Sequence, residues 1–536
     1  MKKIFLITAL IIATGITSCK KSQLSDAYVN PATAHSTTIE KQYAGFLSSD
    51  LDYVMYRYWN YFVVLQNTAL HYTQAVGWQN APGQYIPGAA SITDRWNNFY
   101  TFLAQYKEFL NVYSKQSATD QKNKRIYLIS ATIHFYDQTQ KVVDLHGDIP
   151  WSEAGLLSTN GGNYAKSYAK YDDAASIYTK MLDDLKGFAD ELNTLNVPAA
   201  VSSVMKTQDI INNGDVTKWK KYCNSLRIKL LTRVSGVTSF QSRVSTEIAQ
   251  ITSNASTYPV VSSNDDNILV KVYDLSTPIS SDFYQGIIGW GANDVASKKM
   301  IDIMNTNGDP RLRAMFQPGL HPDSTLINPK KPIYAGLDQS LNGSDQQVLI
   351  ASGKLSRYNF STLSKNRFLP GILITAAEVN FLLAEYYLNA GNDAAAKTAY
   401  ESGISQSVDF YYWLRTLSDD GSAGPLAPTS TTEKNAYITS NGINWLNAAT
   451  TADKLKLIAI QKWTNYSVLQ PLESWAEYRR TKLPAFSFVN DPSTSVLPQP
   501  PTRWIYPTNE QTYNTANYQA VKGKDTFTTK IFWDVK

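Results

Sequence analysis

Two cysteines in 536 residues leave room for one disulfide at most. A chain this long buries enough apolar surface to fold without one. Histidine is nearly as scarce. His35, His71, His134, His146 and His321 are scattered, which argues against a histidine-rich metal centre. No H-E-x-x-H and no G-x-S-x-G occurs, and Ala351-Ser352-Gly353-Lys354-Leu355 lacks the leading glycine and the closing Ser/Thr of a P-loop. Charge of one sign is lacking too. The formal balance of +5 is close to neutral for this size, whereas nucleic-acid binding needs a concentrated basic face. The short run Lys122-Asn123-Lys124-Arg125 reads as a solvated helix start.

What is present begins with the leader, MKKIFLITALIIATGITSCKK. Two lysines precede an apolar run over residues 4–12, then small and polar residues lead to Cys19. This is the three-part layout of a secretory signal peptide. The run is too short to cross about 30 Å of hydrocarbon. Ile16-Thr17-Ser18-Cys19 resembles a bacterial lipobox, with Ile where Leu is usual, so Cys19 is the expected lipidation site. Stable anchoring needs more than one acyl chain, since each buried CH₂ contributes about 0.8 kcal/mol. Removing 18 residues from 536 leaves 518, and two lysines leave with them, so +5 becomes +3. Residues 19–38 are polar and read as a lipidated end and flexible tether. Residues 39–536 read as one continuous body. Cys223, in WKKYCNSLRIKLL, shares a helical face with Trp219, Leu226 and Leu230 and is expected to be a buried, unpaired hydrophobe.

The body reads as all-α, mainly helical. Trp96, Phe99, Tyr100, Leu103, Tyr106, Leu110 and Tyr113 step at three or four residues behind Ser91-Ile92-Thr93-Asp94, a variant capping box. Ile126, Ile129, Ile133 and Tyr136 predict a second helix ending near His146-Gly147, and Ile177, Leu182, Leu185 and Phe188 a third. Residues 155–165 and 417–430 read as loops. Residues 375–408 carry a helix, a Gly-Asn-Asp break at 391–393 and a second helix, like a tetratricopeptide pair with its repeat of about 34 residues.

Aromatic residues make up 12% of the chain, with 34 Tyr, 12 Trp and 19 Phe. Two Gly/Pro/Gln-rich stretches concentrate them in loops. Residues 71–91 carry Trp78 and Tyr85, and residues 272–294 carry Tyr273, Phe283, Tyr284 and Trp290. Flat rings flanked by amides suit carbohydrate: the C–H face of a sugar covers the ring while amides bond the hydroxyls. Trp78 and Trp290 are therefore candidate stacking platforms, with Tyr85 and Tyr284 at their margins and Asn80 or Gln84 bonding hydroxyls. No cofactor is expected. Asn264-Asp265-Asp266-Asn267 has oxygens that could touch calcium but not the EF-hand spacing, and reads as a loop.

Several stretches together resemble SusD/RagB-type outer-membrane nutrient-binding lipoproteins. They are Gly147-Asp148-Ile149-Pro150-Trp151-Ser152-Glu153-Ala154, the segment from Trp219 to Leu230, Pro370-Gly371-Ile372 with Ala377-Glu378-Val379-Asn380-Phe381-Leu382-Leu383-Ala384-Glu385, Gln461-Lys462-Trp463 with Glu473-Ser474-Trp475-Ala476-Glu477-Tyr478-Arg479-Arg480-Thr481, and Arg503-Trp504-Ile505-Tyr506-Pro507-Thr508-Asn509-Glu510. The resemblance implies a SusD-like helical fold on a tetratricopeptide-like scaffold, with long ligand-facing loops. It also implies no catalysis, a lipid anchor at Cys19 in the outer membrane, and delivery of oligosaccharide to a SusC-like TonB-dependent transporter. A peptide-binding RagB-like role is the alternative, and a surface glycoside hydrolase with two separated carboxylates a more distant one. Arg479 and Arg480 are expected to hold helix ends or carboxylates, and Trp475 to pack.

Overall fold

A computed structural model describes residues 37–288, 295–319, 333–491, 493 and 497–536. The lipidation site Cys19 and the platform candidate Trp290 lie outside the described residues.

The chain folds as a stack of helices whose starts are set by side-chain caps. Thr38 accepts from the Lys41 backbone to open α1 (Ile39–Ser48). Helix α2 (Ala89–Ser114) begins two residues before the expected box. Ser91 therefore sits in its first turn and donates to the Val63 carbonyl at 2.6 Å instead of capping. Helix α3 (Arg125–His146) is buried almost all round, as a central helix must be. It stops at Gly147, whose φ of 78° is costly for any residue with a Cβ. Asp173 caps α4 (Ala174–Glu191). There follow α5 (Ala199–Gln208), α6 (Val216–Arg233), capped by Asp215, and α7 (Gln241–Ser253). After the short α8 (Phe283–Ile288) come α9 (Ala376–Asn389), α10 (Asp393–Leu417), α11 (Thr451–Tyr466) and α12 (Pro471–Thr481). Strands are short and antiparallel. β1 (Ile149–Pro150) pairs with β2 (Tyr171–Asp172), β3 (Ile268–Val270) with β6 (Gly371–Ile374), and β4 (Phe316–Gln317) with β5 (Arg357–Tyr358).

The expected helix pair is α9 and α10, broken at residues 390–392, and α10 runs on to Leu417. They approach closely where Gly403 faces Phe381: a Cβ there would come within 2.5 Å of the ring. Cys223 is buried and unpaired. Its thiol donates to the Leu185 carbonyl at 3.3 Å, and burial pushes its pKa up to about 12. The basic run at residues 122–125 is not simply solvated. Arg125 grips Glu191 through two bonds of 2.7 and 2.9 Å, and Lys124 reaches Glu40 at 2.6 Å.

Between α6, α9, α11 and α12 lies a buried ionic core. Lys462 bridges Glu385 and Glu477 at 2.7 and 2.8 Å, and Arg480 bridges the same two carboxylates at 2.7 Å each. Arg233 reaches Glu473 at 2.6 Å and Glu477 at 2.9 Å. Burial alone would raise the Glu385 carboxyl, but Arg480 and Lys462 bring it down to about 2. Such a network holds together because each charge is matched, and removing one partner would strand the others. Arg479 donates to the Asp144 and Thr502 carbonyls and lies 3.8 Å from the centre of the Trp475 ring. Both arginines thus have the roles expected of them. Among the described residues no helix is long and apolar enough to cross a membrane.

Candidate functional site

The loop over residues 71–91 turns its rings inward. Trp78 is 8% exposed and Tyr85 1%, which corrects the expectation that they offer free faces to a ligand. They sandwich His71, with ring centres 4.3 Å from Trp78 and 5.2 Å from Tyr85, both nearly parallel. The cause is local. Gly77 donates to the Val295 carbonyl at 2.7 Å and is so close to Leu337 and Val295 that a Cβ would sit 2.8 Å from each. The loop is drawn down as a cover over the apolar interior, where large rings bury the most area. The Tyr85 hydroxyl donates to the Val489 carbonyl at 2.6 Å. The Asn80 amide is committed to the carbonyls of Gln339 and Leu341 at 3.0 and 2.7 Å. Gln84 is buried, and its amide oxygen and nitrogen, like the Trp78 indole N–H and His71 Nδ1, have no hydrogen-bond partner among the described residues. Burial brings the His71 pKa down to about 3 against an opposing pull from the Gln84 backbone, so the ring is neutral.

Exposed rings stand instead on the segment just before this loop. Residues 56–62, YRYWNYF, hold five aromatics in seven positions. The chain winds as a π-helix over Trp59–Leu65, and the Gln66 N–H reaches back five residues to the Tyr61 carbonyl at 3.0 Å. The wider turn changes which side chains face inward. Tyr56 and Tyr61 are buried against Phe283 of α8. Trp59 is 59% exposed and Tyr58 38%. Tyr58 stacks on Phe62 with centres 4.9 Å apart and 14° between planes, and meets Trp59 edge-on at 5.8 Å. Packing on one side holds the three rings as a ledge whose other side is open.

Helix α8 packs closely on the inner side of this π-helix because of Gly286. A Cβ there would come within 2.9 Å of Tyr61 Cβ and 3.4 Å of the Arg57 carbonyl oxygen. The next residue after Phe283 is Tyr284, half-buried, edge-on to Phe360 at 6.5 Å. The Lys365 ammonium sits 4.8 Å from the Phe360 ring centre and 5.4 Å from that of Tyr284. Phe360–Ser364 is a second π-turn packed on α8. Polar groups lie on α8 and on the chain just before it. Asp282 and Gln285 are exposed, Arg57 donates to the Pro278 carbonyl, and burial raises the Asp282 carboxyl against the pull of Arg57. Of the residues singled out in sequence, the structure therefore brings Trp78, Tyr85 and Gln84 together in the interior, ties Asn80 to a neighbouring loop, and sets Tyr284 against Phe360 and Lys365. Tyr58, Trp59 and Phe62 were missed. The density of aromatics at 56–62 was their signal, but density by itself reads as core.

Other features are poorer sites. A cavity of about 210 Å³ beside α11 and α12 is lined by Glu385, Lys462, Glu477 and Arg480, whose charges already satisfy one another. Asp265 and Asp266 lie in a short turn where Asp266 pairs with Lys221. Asp183 and Asp184 point apart, to Arg243 and Lys180. Among the described residues no cluster of three or more His, Cys, Asp or Glu is placed to hold a metal ion.

Comparison with known proteins adds a family to this geometry. A family profile described as SusD-like, starch-binding and associating with the outer membrane, matches residues 36–507. Among solved structures, a chitin-binding protein is 23% identical with a TM-score of 0.73, the alignment covering 92% of this chain and 100% of that one. A SusD homolog from Bacteroides fragilis is 18% identical with a TM-score of 0.74, covering 93% and 100%. A chitin-binding SusD homolog from Flavobacterium johnsoniae is 20% identical with a TM-score of 0.69, covering 92% and 99%. At these identities the structures speak for the fold. No curated protein matches.

Proposed function

The chain belongs to the SusD-like family of outer-membrane-associated nutrient-binding proteins, and on that premise we propose that it captures oligosaccharide on the Tyr58–Trp59–Phe62 ledge. The observation that carries this reading is an indole 59% exposed on a rigid π-helix. Left bare, such a ring exposes apolar surface to water. Covered by the C–H face of a sugar it is shielded, while Asp282, Gln285 and the Tyr58 hydroxyl offer hydrogen bonds at its edge. Two relatives of the same fold are described as chitin-binding, which makes β-linked N-acetylglucosamine oligomers the first glycans to try. The family is one of binding proteins, and the reading is accordingly that the ledge holds a ligand rather than cleaves it.

The rest of the proposal follows the leader. Cys19 carries the acyl chains, residues 19–38 form a tether, and residues 39–536 form one ligand-holding domain. The tether keeps the ledge at the mouth of a SusC-like TonB-dependent transporter, where linkage raises the effective ligand concentration without a need for tight binding. The test is affinity electrophoresis and calorimetry with chitohexaose and starch oligomers. Trp59→Ala should lose at least about tenfold in affinity with an unchanged helical CD spectrum; unaltered affinity removes the ledge from the site. Mass spectrometry of the native protein checks the anchor, expecting a mature terminus at an acylated Cys19.

A further inference from the structure

Away from the ledge, the turn between α5 and α6 is built around one buried carboxylate. Asp209 accepts from the backbone N–H groups of Ile211, Asn212 and Gly214 at 3.0, 3.1 and 2.9 Å, and from the Trp219 indole at 2.7 Å. Asn213 and Gly214 take left-handed angles, with φ of 52° and 71°. Gly214 lies so close to the end of α5 that a Cβ would meet the Lys206 backbone nitrogen at 3.0 Å. This pinned turn faces the chain leaving β3, and a cavity of about 390 Å³ opens between them.

The lining of that cavity is unlike the rest of the surface. Asn212 is 3% exposed, yet neither its amide oxygen nor its amide nitrogen has a hydrogen-bond partner among the described residues. Leaving a buried amide unmet is costly, so the site holds an unused donor and acceptor. Tyr273 presents a ring 68% exposed, its hydroxyl accepting from the Asn213 amide at 3.4 Å. Ile211 and Leu269 supply apolar wall. Three lysines, Lys206, Lys218 and Lys271, line the cavity with one carboxylate, Asp215. Asp215 is occupied in capping Thr217 and Lys218 backbone N–H groups. The Lys218 ammonium donates to the Asp265 carbonyl at 3.0 Å, which leaves its charge uncompensated. Lys206 and Lys271 have no ion-pair partner among the described residues.

We propose that this cavity is a second saccharide site selective for a sugar unit bearing a carboxylate or sulfate, held by the lysines at its anion, by the Asn212 amide at its hydroxyls and by the Tyr273 ring at its C–H face. The preference for an anion follows from the excess positive charge, and the preference for a sugar rests on the glycan-capture reading above. The two sites share no residue, but one segment joins them. Tyr273 borders the cavity, and Asp282, nine residues further on, donates its backbone N–H to the Tyr56 carbonyl at 2.8 Å, two residues before Tyr58, a span of at most about 30 Å. A long acidic or mixed glycan could engage both.

Calorimetry on the full mature chain, at low and moderate salt, tests this with oligogalacturonate, a sulfated chondroitin disaccharide and inorganic sulfate, beside neutral chitohexaose. One acidic saccharide is expected to bind more weakly as salt rises, and to lose about tenfold or more in affinity in the Lys206→Gln/Lys271→Gln double variant and in Tyr273→Ala. Trp59→Ala should leave that binding within about twofold. Which acidic sugar binds identifies the anion. No binding of either, or equal binding by the double variant, overturns the proposal. Inorganic sulfate binding as well as the sugar overturns its saccharide part. Failure of the unmutated chain to bind chitohexaose, with acidic binding intact, would instead count against the ledge and leave this site standing.

Discussion

Two aromatic clusters lie within thirty residues of each other and have opposite fates. Trp78, His71 and Tyr85 form a stack closed into the interior, whereas Tyr58, Trp59 and Phe62 stand on its neighbour with one side open. By composition the first cluster, in a Gly/Pro-rich loop, is the one expected to face a ligand. The difference teaches that a loop rich in rings can be a lid. Gly77 lets the backbone approach the body, and the loop's rings then gain more from burial than from waiting for a ligand. A π-turn does the reverse, rotating part of an aromatic run away from the core that holds the rest.

That contrast is open to breakage by mutation. Trp78→Ala should cost about 3–5 kcal/mol of folding stability, read from urea unfolding, while the folded fraction still binds glycan; a stable Trp78→Ala protein that fails to bind would return the loop to the site. His71 sharpens the same point through pH. Its folded pKa is held near 3, below the unfolded value of about 6.5, so only the unfolded chain takes up the proton as pH falls. Stability is then complete above about pH 6.5 and declines toward pH 3, with about 2 kcal/mol lost by pH 5. His71→Phe keeps a flat ring in the sandwich and should remove that part of the decline between pH 7 and 5; an unchanged pH profile would mean the ring is not held neutral by burial. Trp59→Ala should do the opposite of Trp78→Ala. Stability should stay within about 0.5 kcal/mol, and glycan affinity should fall by about tenfold, or 1.4 kcal/mol. The smallest effect is expected from Lys365→Gln, which removes the cation over Phe360 and Tyr284. A change of about 0.5–1 kcal/mol in stability or binding would mark those rings as part of the ledge, and no change would confine it to the π-helix.

Much of the scaffold could be read in advance because its causes are short-range. Helix α3 ends at Gly147 as expected, the pair α9 and α10 breaks where Gly391 and Asn392 interrupt it, and Cys223 lies on the buried face its spacing predicts. The start of α2 was misplaced by two residues because Ser91 found a distant partner, the Val63 carbonyl, in place of its own helix. Arg480 could be read as a partner for helix ends or carboxylates, but its carboxylates, Glu477 and Glu385, and the bridging Lys462 are identified only by the packing of the helices alongside. The candidate site was hardest to read. Nothing in the spacing of Trp59 and Trp78 distinguishes a ring that faces water from one that faces His71.

The amino-acid sequence by itself determined the helical class and most of the places where helices begin and end, because capping, periodicity and turn chemistry act over a few residues. Only the tertiary structure decided which aromatic rings reach solvent, which carboxylates are neutralised and where a cavity is left with unpaired lysines and an unmet amide. Those properties depend on neighbours brought in from hundreds of residues away, and burial, unlike helix propensity, belongs to no residue until the chain has packed.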